Sequence, residues 1–98
     1  MSERHRTVVW FTWSLATKGT PTDILSLIGL SGKLHRLDET EANVGATPRR
    51  DNRRASILNE VRAIATRLGA SVDYNRDPRG WPLRLVWGDG SDLAVPVL

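Results

Sequence analysis

Pro48-Arg-Arg-Asp-Asn-Arg-Arg-Ala-Ser-Ile-Leu-Asn-Glu-Val-Arg-Ala-Ile-Ala-Thr-Arg-Leu-Gly69 carries the clearest periodicity in the chain. Ile57, Leu58, Val61, Ile64, Ala65 and Leu68 recur at i, i+1, i+4, i+7, i+8 and i+11, which gathers them on one stripe of a helix. The spacing predicts a helix over about 50–68, closed by Gly69 as the residue just past its end. Its start is either Thr47 with Pro48 in the first turn, or Asp51, since both are good caps. At about 100° per residue, Arg50 and Arg54 fall on the same stripe as Val61 and Leu68 and prolong it beyond the apolar residues. Unpaired charges cannot enter a core, so this end of the helix is expected to overhang the sheet edge. Arg53 and Arg67 flank the stripe, and Arg62 points to solvent.

Arg49, Arg50, Arg53 and Arg54 therefore crowd a helix N-terminus. That end carries a partial positive charge, so each cation there costs a few tenths of a kcal/mol. Folding supplies no reason for the cluster, which points to an anionic partner. On the same ground, changing Arg50 and Arg54 to Gln is expected to leave the fold intact or slightly more stable. Within 49–67 the six arginines are opposed by only Asp51 and Glu60, a local +4 in a chain whose net charge is +3. The positive excess thus sits on one segment. Arginine also outnumbers lysine twelve to two, and its planar fork engages phosphate or carboxylate bidentately and stacks on bases, as lysine cannot. A compositional bias of the genome would raise arginine everywhere; it would not cluster it.

The 98 residues suit a single domain, 1–98, with one modest core. No apolar run approaches the roughly 18 residues of a membrane span. Val8 to Leu15 follows Arg4 and Arg6, but it is short, holds two tryptophans, a threonine and a serine, and precedes no small-residue cleavage site. No signal peptide is expected, and the location implied is cytoplasmic. Without cysteine there is no disulfide framework, thiolate chemistry or cysteine metal site. His5 and His35 are far apart in polar surroundings and are read as solvated, not as metal ligands.

The rest of the chain reads as follows. Thr7-Val-Val-Trp-Phe-Thr-Trp13 is β-branched and aromatic, with Val8 and Trp10 on one face and Val9, Phe11 and Trp13 on the other, so an interior strand covered on both sides is expected. Thr20-Pro21-Thr22-Asp23 marks a helix start, and a short helix over about 21–30 carrying Ile24, Leu25, Leu27 and Ile28 should stop between Gly29 and Gly32. Lys33 to Leu37 is expected as a strand, and Asp38 to Ala46 as an acidic loop. Ser71 to Tyr74 is a short strand. Asn75 to Gly80 is a turn-rich loop. Leu83 to Trp87 alternates, with Leu83, Leu85 and Trp87 on one face. Gly88-Asp-Gly-Ser91 makes a hairpin turn, and Leu93, Val95 and Val97 repeat the alternation, with Pro96 marking an edge. The fold class is α+β: a mostly antiparallel sheet packed on the main helix, with a second short helix. Leu58, Val61, Ile64, Leu68, Leu85 and Val95 should be core.

Residues 55–97 resemble the HicA family of small toxins and their dsRBD-like relatives. Leu68-Gly69 ends the helix, Arg79-Gly80 precedes the third strand of the resemblance, Gly88-Asp89-Gly90 makes the turn, and Ala94-Val95-Pro96-Val97 closes the sheet. The resemblance implies a helix followed by a strand meander. Where that family has Ser-His-His, this chain has Trp81-Pro82-Leu83, so the resemblance does not carry ribonuclease activity with it. The first 45 residues lie outside it, and the family's closing helix has no counterpart.

No Gly-rich phosphate loop, nucleophile elbow or His-Glu-x-x-His is present. Asp38, Glu39 and Glu41 read as a solvated acidic loop in preference to a metal site. No cofactor, metal or catalytic residue is expected, and no turnover should depend on His5 or His35. Trp81 lies between Gly80 and Pro82 near Arg76, Arg79 and Arg84, a combination suited to stacking on exposed bases and equally to folding back over the core edge. The sequence thus supports a small non-catalytic module that binds nucleic acid, RNA or single strands, through Arg49, Arg50, Arg53 and Arg54, with Arg79, Trp81 and Arg84 as further contacts. The alternative is a protein-interaction module, such as a phage or mobile-element inhibitor or one half of a two-component pair, in which the same arginines meet an acidic protein surface.

Overall fold

A computed structural model describes residues 3–98. Three helices, α1 (Glu3–Leu15), α2 (Pro21–Val44) and α3 (Pro48–Arg67), precede three short strands, β1 (Ser71–Asp73), β2 (Arg84–Val86) and β3 (Asp92–Ala94). The strands form an antiparallel sheet in the order β1-β2-β3, with Val72 opposite Leu85 and Leu85 opposite Leu93. The α+β class holds, with a larger helical share than the sequence suggested.

Helix α3 begins where its caps dictate. Thr47 has extended backbone, its hydroxyl accepts from the Arg50 amide at 3.2 Å, and Pro48 fills the first turn. Gly69 follows the helix with a φ of +75°, a conformation glycine adopts without a Cβ penalty. The stripe is buried as expected: Ile57, Leu58, Val61, Ile64, Ala65 and Leu68 join one hydrophobic cluster with Leu83, Leu85 and Val95. Trp87 packs partly buried against that cluster, its indole N–H donating to the Leu68 carbonyl at 3.1 Å.

Four expectations fail. Thr7–Trp13 is not an interior strand but the body of α1. Its apolar residues occupy both faces, but only one is covered: Phe11 and Leu15 enter the core, whereas Trp10 and Trp13 are 63% and 77% exposed. Pairing partners rather than propensity decide whether β-rich residues become a strand, and the three C-terminal strands form a sheet without them.

The helix expected over about 21–30 runs on to Val44. Lys33 to Leu37 is therefore helical rather than a strand, and most of Asp38–Ala46 is helix rather than loop. Gly29 and Gly32 do not stop it, although each costs roughly 1 kcal/mol relative to alanine in a helix. Burial of Leu27, Leu30 and Leu34 on either side offsets that cost. Ser31, fully buried in the same segment, donates to the Val95 carbonyl at 3.3 Å and ties α2 to the end of the sheet.

Candidate anion-binding groove

The α2–α3 hairpin turns through Gly45, whose φ is +83° and whose amide bonds the Glu41 carbonyl at 2.8 Å. The turn brings the second half of α2 alongside the first turns of α3 and leaves a groove of about 470 Å³ between them. From α2 come Lys33, Arg36, Leu37 and Thr40, spaced i, i+3, i+4 and i+7 on one helical face. From the start of α3 come Thr47, Arg49, Arg50 and Arg53. Five cations and two hydroxyls line this space, and no carboxylate does.

The groove cations differ in their partners from five of the chain's other arginines. Arg54, Arg67, Arg76, Arg79 and Arg84 each form an ion pair with an aspartate or glutamate. Among the described residues, the side chains of Lys33, Arg36, Arg49 and Arg53 carry no hydrogen bond or ion pair. Arg50 donates through Nη1 to the Gly45 carbonyl at 2.9 Å, which anchors it across the hairpin turn. The N-terminal end of α3 adds the helix's partial positive charge to the same place. Such an arrangement can hold phosphate or carboxylate groups by charge-assisted hydrogen bonds.

Arg54, one turn further along α3, belongs to a different system. Its Nη2 reaches Glu41 Oε2 at 2.5 Å and Asp38 Oδ1 at 3.1 Å, its Nη1 meets Asp51 at 3.3 Å, and its Nε donates to the Tyr74 hydroxyl at 3.2 Å. That hydroxyl donates in turn to Asp38 Oδ1 at 3.0 Å, and Arg76 reaches Asp38 Oδ2 at 2.9 Å. Arg54, Asp38 and Glu41 are each 18% exposed at the side chain. The network joins α2, α3 and the segment after β1. The hydrogen bond it donates to Glu41 holds the Arg54 guanidinium well above its ordinary pKa, against the opposing effect of burial. Burial raises the Tyr74 hydroxyl. Of the two charges that prolong the apolar stripe, Arg54 is thus neutralised by α2 instead of overhanging a sheet edge, and Arg50 lies in the groove. Of the four clustered arginines, Arg54 is structural, and Arg49, Arg50 and Arg53 line the groove.

Asp38, Glu39 and Glu41 are likewise not a solvated loop, since all three lie on α2. Glu39 Oε1 contacts His35 Nε2 at 2.7 Å. No group of three or more histidine or carboxylate side chains that could hold a metal ion occurs among the described residues. No described helix is long and apolar enough to cross a membrane.

Arg79, Trp81 and Arg84 lie elsewhere, beside β2. Arg79 stacks on the Trp81 ring at 3.7 Å from its centroid and is clamped by Asp77 Oδ2 through Nε at 2.9 Å and Nη2 at 2.6 Å. Asp77 Oδ1 also accepts the amides of Arg79 and Trp81. Burial alone would raise the Asp77 carboxyl, but the hydrogen bonds from Arg79 and the Trp81 amide outweigh it and hold the pKa below the usual value. Arg84 pairs with Asp92 across the hairpin at 2.5 Å.

Lys33 and Arg36 escaped the sequence reading because an expected strand placed them on alternating faces. The signal that finds them is their spacing with Leu37 and Thr40, once the segment is taken as helical. No family model, curated protein or solved structure matches this chain.

Proposed function

We propose that this protein is a small non-catalytic nucleic-acid-binding module whose backbone contact is the α2–α3 groove. The observation that carries this reading is the collection of five cations without carboxylate partners in one groove lined by no acid. Keeping five like charges together costs energy in the free protein, and a run of phosphates relieves it by releasing its own counterions as it binds. The predominance of arginine suits phosphate geometry. Thr47, whose hydroxyl accepts from the Arg50 amide, keeps its own proton to donate to a non-bridging oxygen.

The test is a titration of fluorescent RNA, single-stranded DNA and duplex DNA against the wild-type protein and Arg49→Gln/Arg53→Gln at low and moderate salt. Wild type should bind in a salt-dependent manner, and the double variant should bind more weakly with a flatter salt dependence. Wild-type protein that binds none of the three at low salt would sink the reading. Capture of one specific acidic protein under those conditions would then favour the protein-partner alternative.

A further inference from the structure

The second large groove of the molecule, about 580 Å³, runs between α1 and the β2–β3 hairpin. Its walls have the opposite character to the first. Trp10 of α1 and Trp81, carrying the stacked Arg79, both line it, together with Arg6, Arg84 and Pro96. Its arginines are largely spent: Arg79 is clamped by Asp77, whose side chain is 4% exposed, and Arg84 by Asp92, while Glu3 adds a further negative charge to the lining. The groove therefore offers flat π surface with nearly balanced charge. Trp10 is 63% exposed although Phe11 and Leu15 of the same helix are buried, so the indole contributes little to the core.

We infer that this groove is a base-stacking subsite which makes the module selective for single-stranded nucleic acid, the base seating on Trp10 and on the Arg79–Trp81 platform. The inference rests on the function proposed for the α2–α3 groove and deepens it. A nucleotide has a charged half and a flat half, and the two grooves divide along the same line. One is cationic without aromatics, and the other is aromatic with its charge neutralised. Guanidinium planes and indoles are the two side-chain surfaces on which unpaired bases stack. Arg79 is pre-organised for this by Asp77, which holds it flat on Trp81 before any ligand arrives. Duplex bases are already stacked on each other and cannot use the groove without being extruded.

The experiment uses a thymidine 12-mer, within the roughly 4–16 nucleotides that a single-strand module of this kind covers, and a hairpin duplex of equal phosphate number. Each is titrated into wild type, Trp10→Ala, Trp10→Phe, Trp13→Ala and Arg49→Gln/Arg53→Gln. Wild type should prefer the single strand, with quenching of indole emission. Trp10→Ala should lose about tenfold in affinity for the single strand and nothing for the duplex, and Trp10→Phe should recover most of it. Trp13→Ala, which removes a still more exposed indole outside the groove, should bind as wild type. Equal affinity of wild type and Trp10→Ala for the single strand, or an equal loss from Trp13→Ala, would overturn the subsite. The phosphate groove would survive that result if Arg49→Gln/Arg53→Gln still weakened both ligands. Should Trp10→Ala prove unfolded by circular dichroism, Trp10→Phe and the wild-type quenching decide: no quenching by the 12-mer rejects the subsite. Quenching by vesicles containing phosphatidylserine, with none by the 12-mer, would reassign the exposed indoles to a lipid surface.

Discussion

Arg54 and Glu41, thirteen residues apart on antiparallel helices, meet at 2.5 Å, and the same guanidinium reaches Asp38 and Tyr74. One planar group thus satisfies three acceptors from two other parts of the chain, a task its fork geometry allows and a lysine ammonium does not. Glu41 Oε1, buried and without a hydrogen-bond partner among the described residues, shows how little slack the arrangement has.

Removing Arg54 should therefore be costly. Arg54→Gln leaves Asp38 and Glu41 partly buried and facing each other without their cation, and should destabilise the fold by about 1–3 kcal/mol, below the range for fully buried pairs because all three groups retain some solvent contact. Arg54→Lys should recover only part of this. Arg50→Gln, which gives up one hydrogen bond to the Gly45 carbonyl, should change stability by less than about 1 kcal/mol. Urea denaturation of the three variants checks the order. Equal, negligible effects would return Arg54 to the binding surface.

Acid should unfold the protein through its paired carboxylates. Asp77 is held below the ordinary carboxyl range, its burial outweighed by Arg79 and the Trp81 amide; Asp23 is lowered by Arg67, and Asp89 by Ser91. A folded pKa below the unfolded one means that the folded state binds fewer protons. The stability these groups contribute is complete above about pH 4, near the unfolded aspartate value, and is lost as the pH falls through the folded values. The urea midpoint should be flat from pH 7 to about 5 and then drop. Asp77→Asn should lower the plateau and make the acid limb shallower.

The parts of this fold that sequence reading recovered are those where a local rule and the tertiary context agree. Helix α3 has one apolar stripe, a cap at each end and a partner for its buried face, so periodicity alone located it. The C-terminal hairpin was legible because Gly88 to Ser91 fixes the turn and Leu85, Leu93 and Val95 alternate around it. Helix α1 was not, because Trp10 and Trp13 are apolar residues left outside; a reading that buries every tryptophan must cover both faces and concludes strand. Gly29 and Gly32 misled for the converse reason, as their helical cost is met by leucines whose burial only the fold reveals. The site divides in the same way. The arginines at the start of α3 were visible as a run, whereas their separation into Arg54 and the groove set required knowing that Asp38 and Glu41 lie on a helix.

Truncations in the core should report the packing of α3. Val61 is fully buried and Ile64 is 6% exposed within the cluster that also contains Leu85 and Val95. Ile64→Ala should cost about 2–4 kcal/mol and Val61→Ala somewhat less, since it deletes fewer buried methyl groups. Both are read from urea or thermal midpoints. Substitution of exposed Leu25 by Ala should cost less than about 1 kcal/mol.

The groove makes a prediction about residues on a helix that carries none of the arginine run. Lys33 and Arg36 belong to α2, yet they line the same space as Arg49 and Arg53. If phosphates bind there, Arg36→Gln should flatten the slope of log K against log salt by about 0.7–0.9, the same amount as Arg49→Gln, because each removes one phosphate contact. The double variant should lose roughly twice as much. Arg62→Gln, which removes an equal charge from an exposed position of α3 outside the groove, should leave the slope unchanged. The contrast separates a built site from general attraction to a basic protein, in which all three single variants would shift the slope alike. Fluorescence anisotropy with one oligonucleotide at four salt concentrations suffices. A slope that responds to Arg49 and Arg62 but not to Arg36 would place the anion on the outer side of α3 and remove α2 from the site.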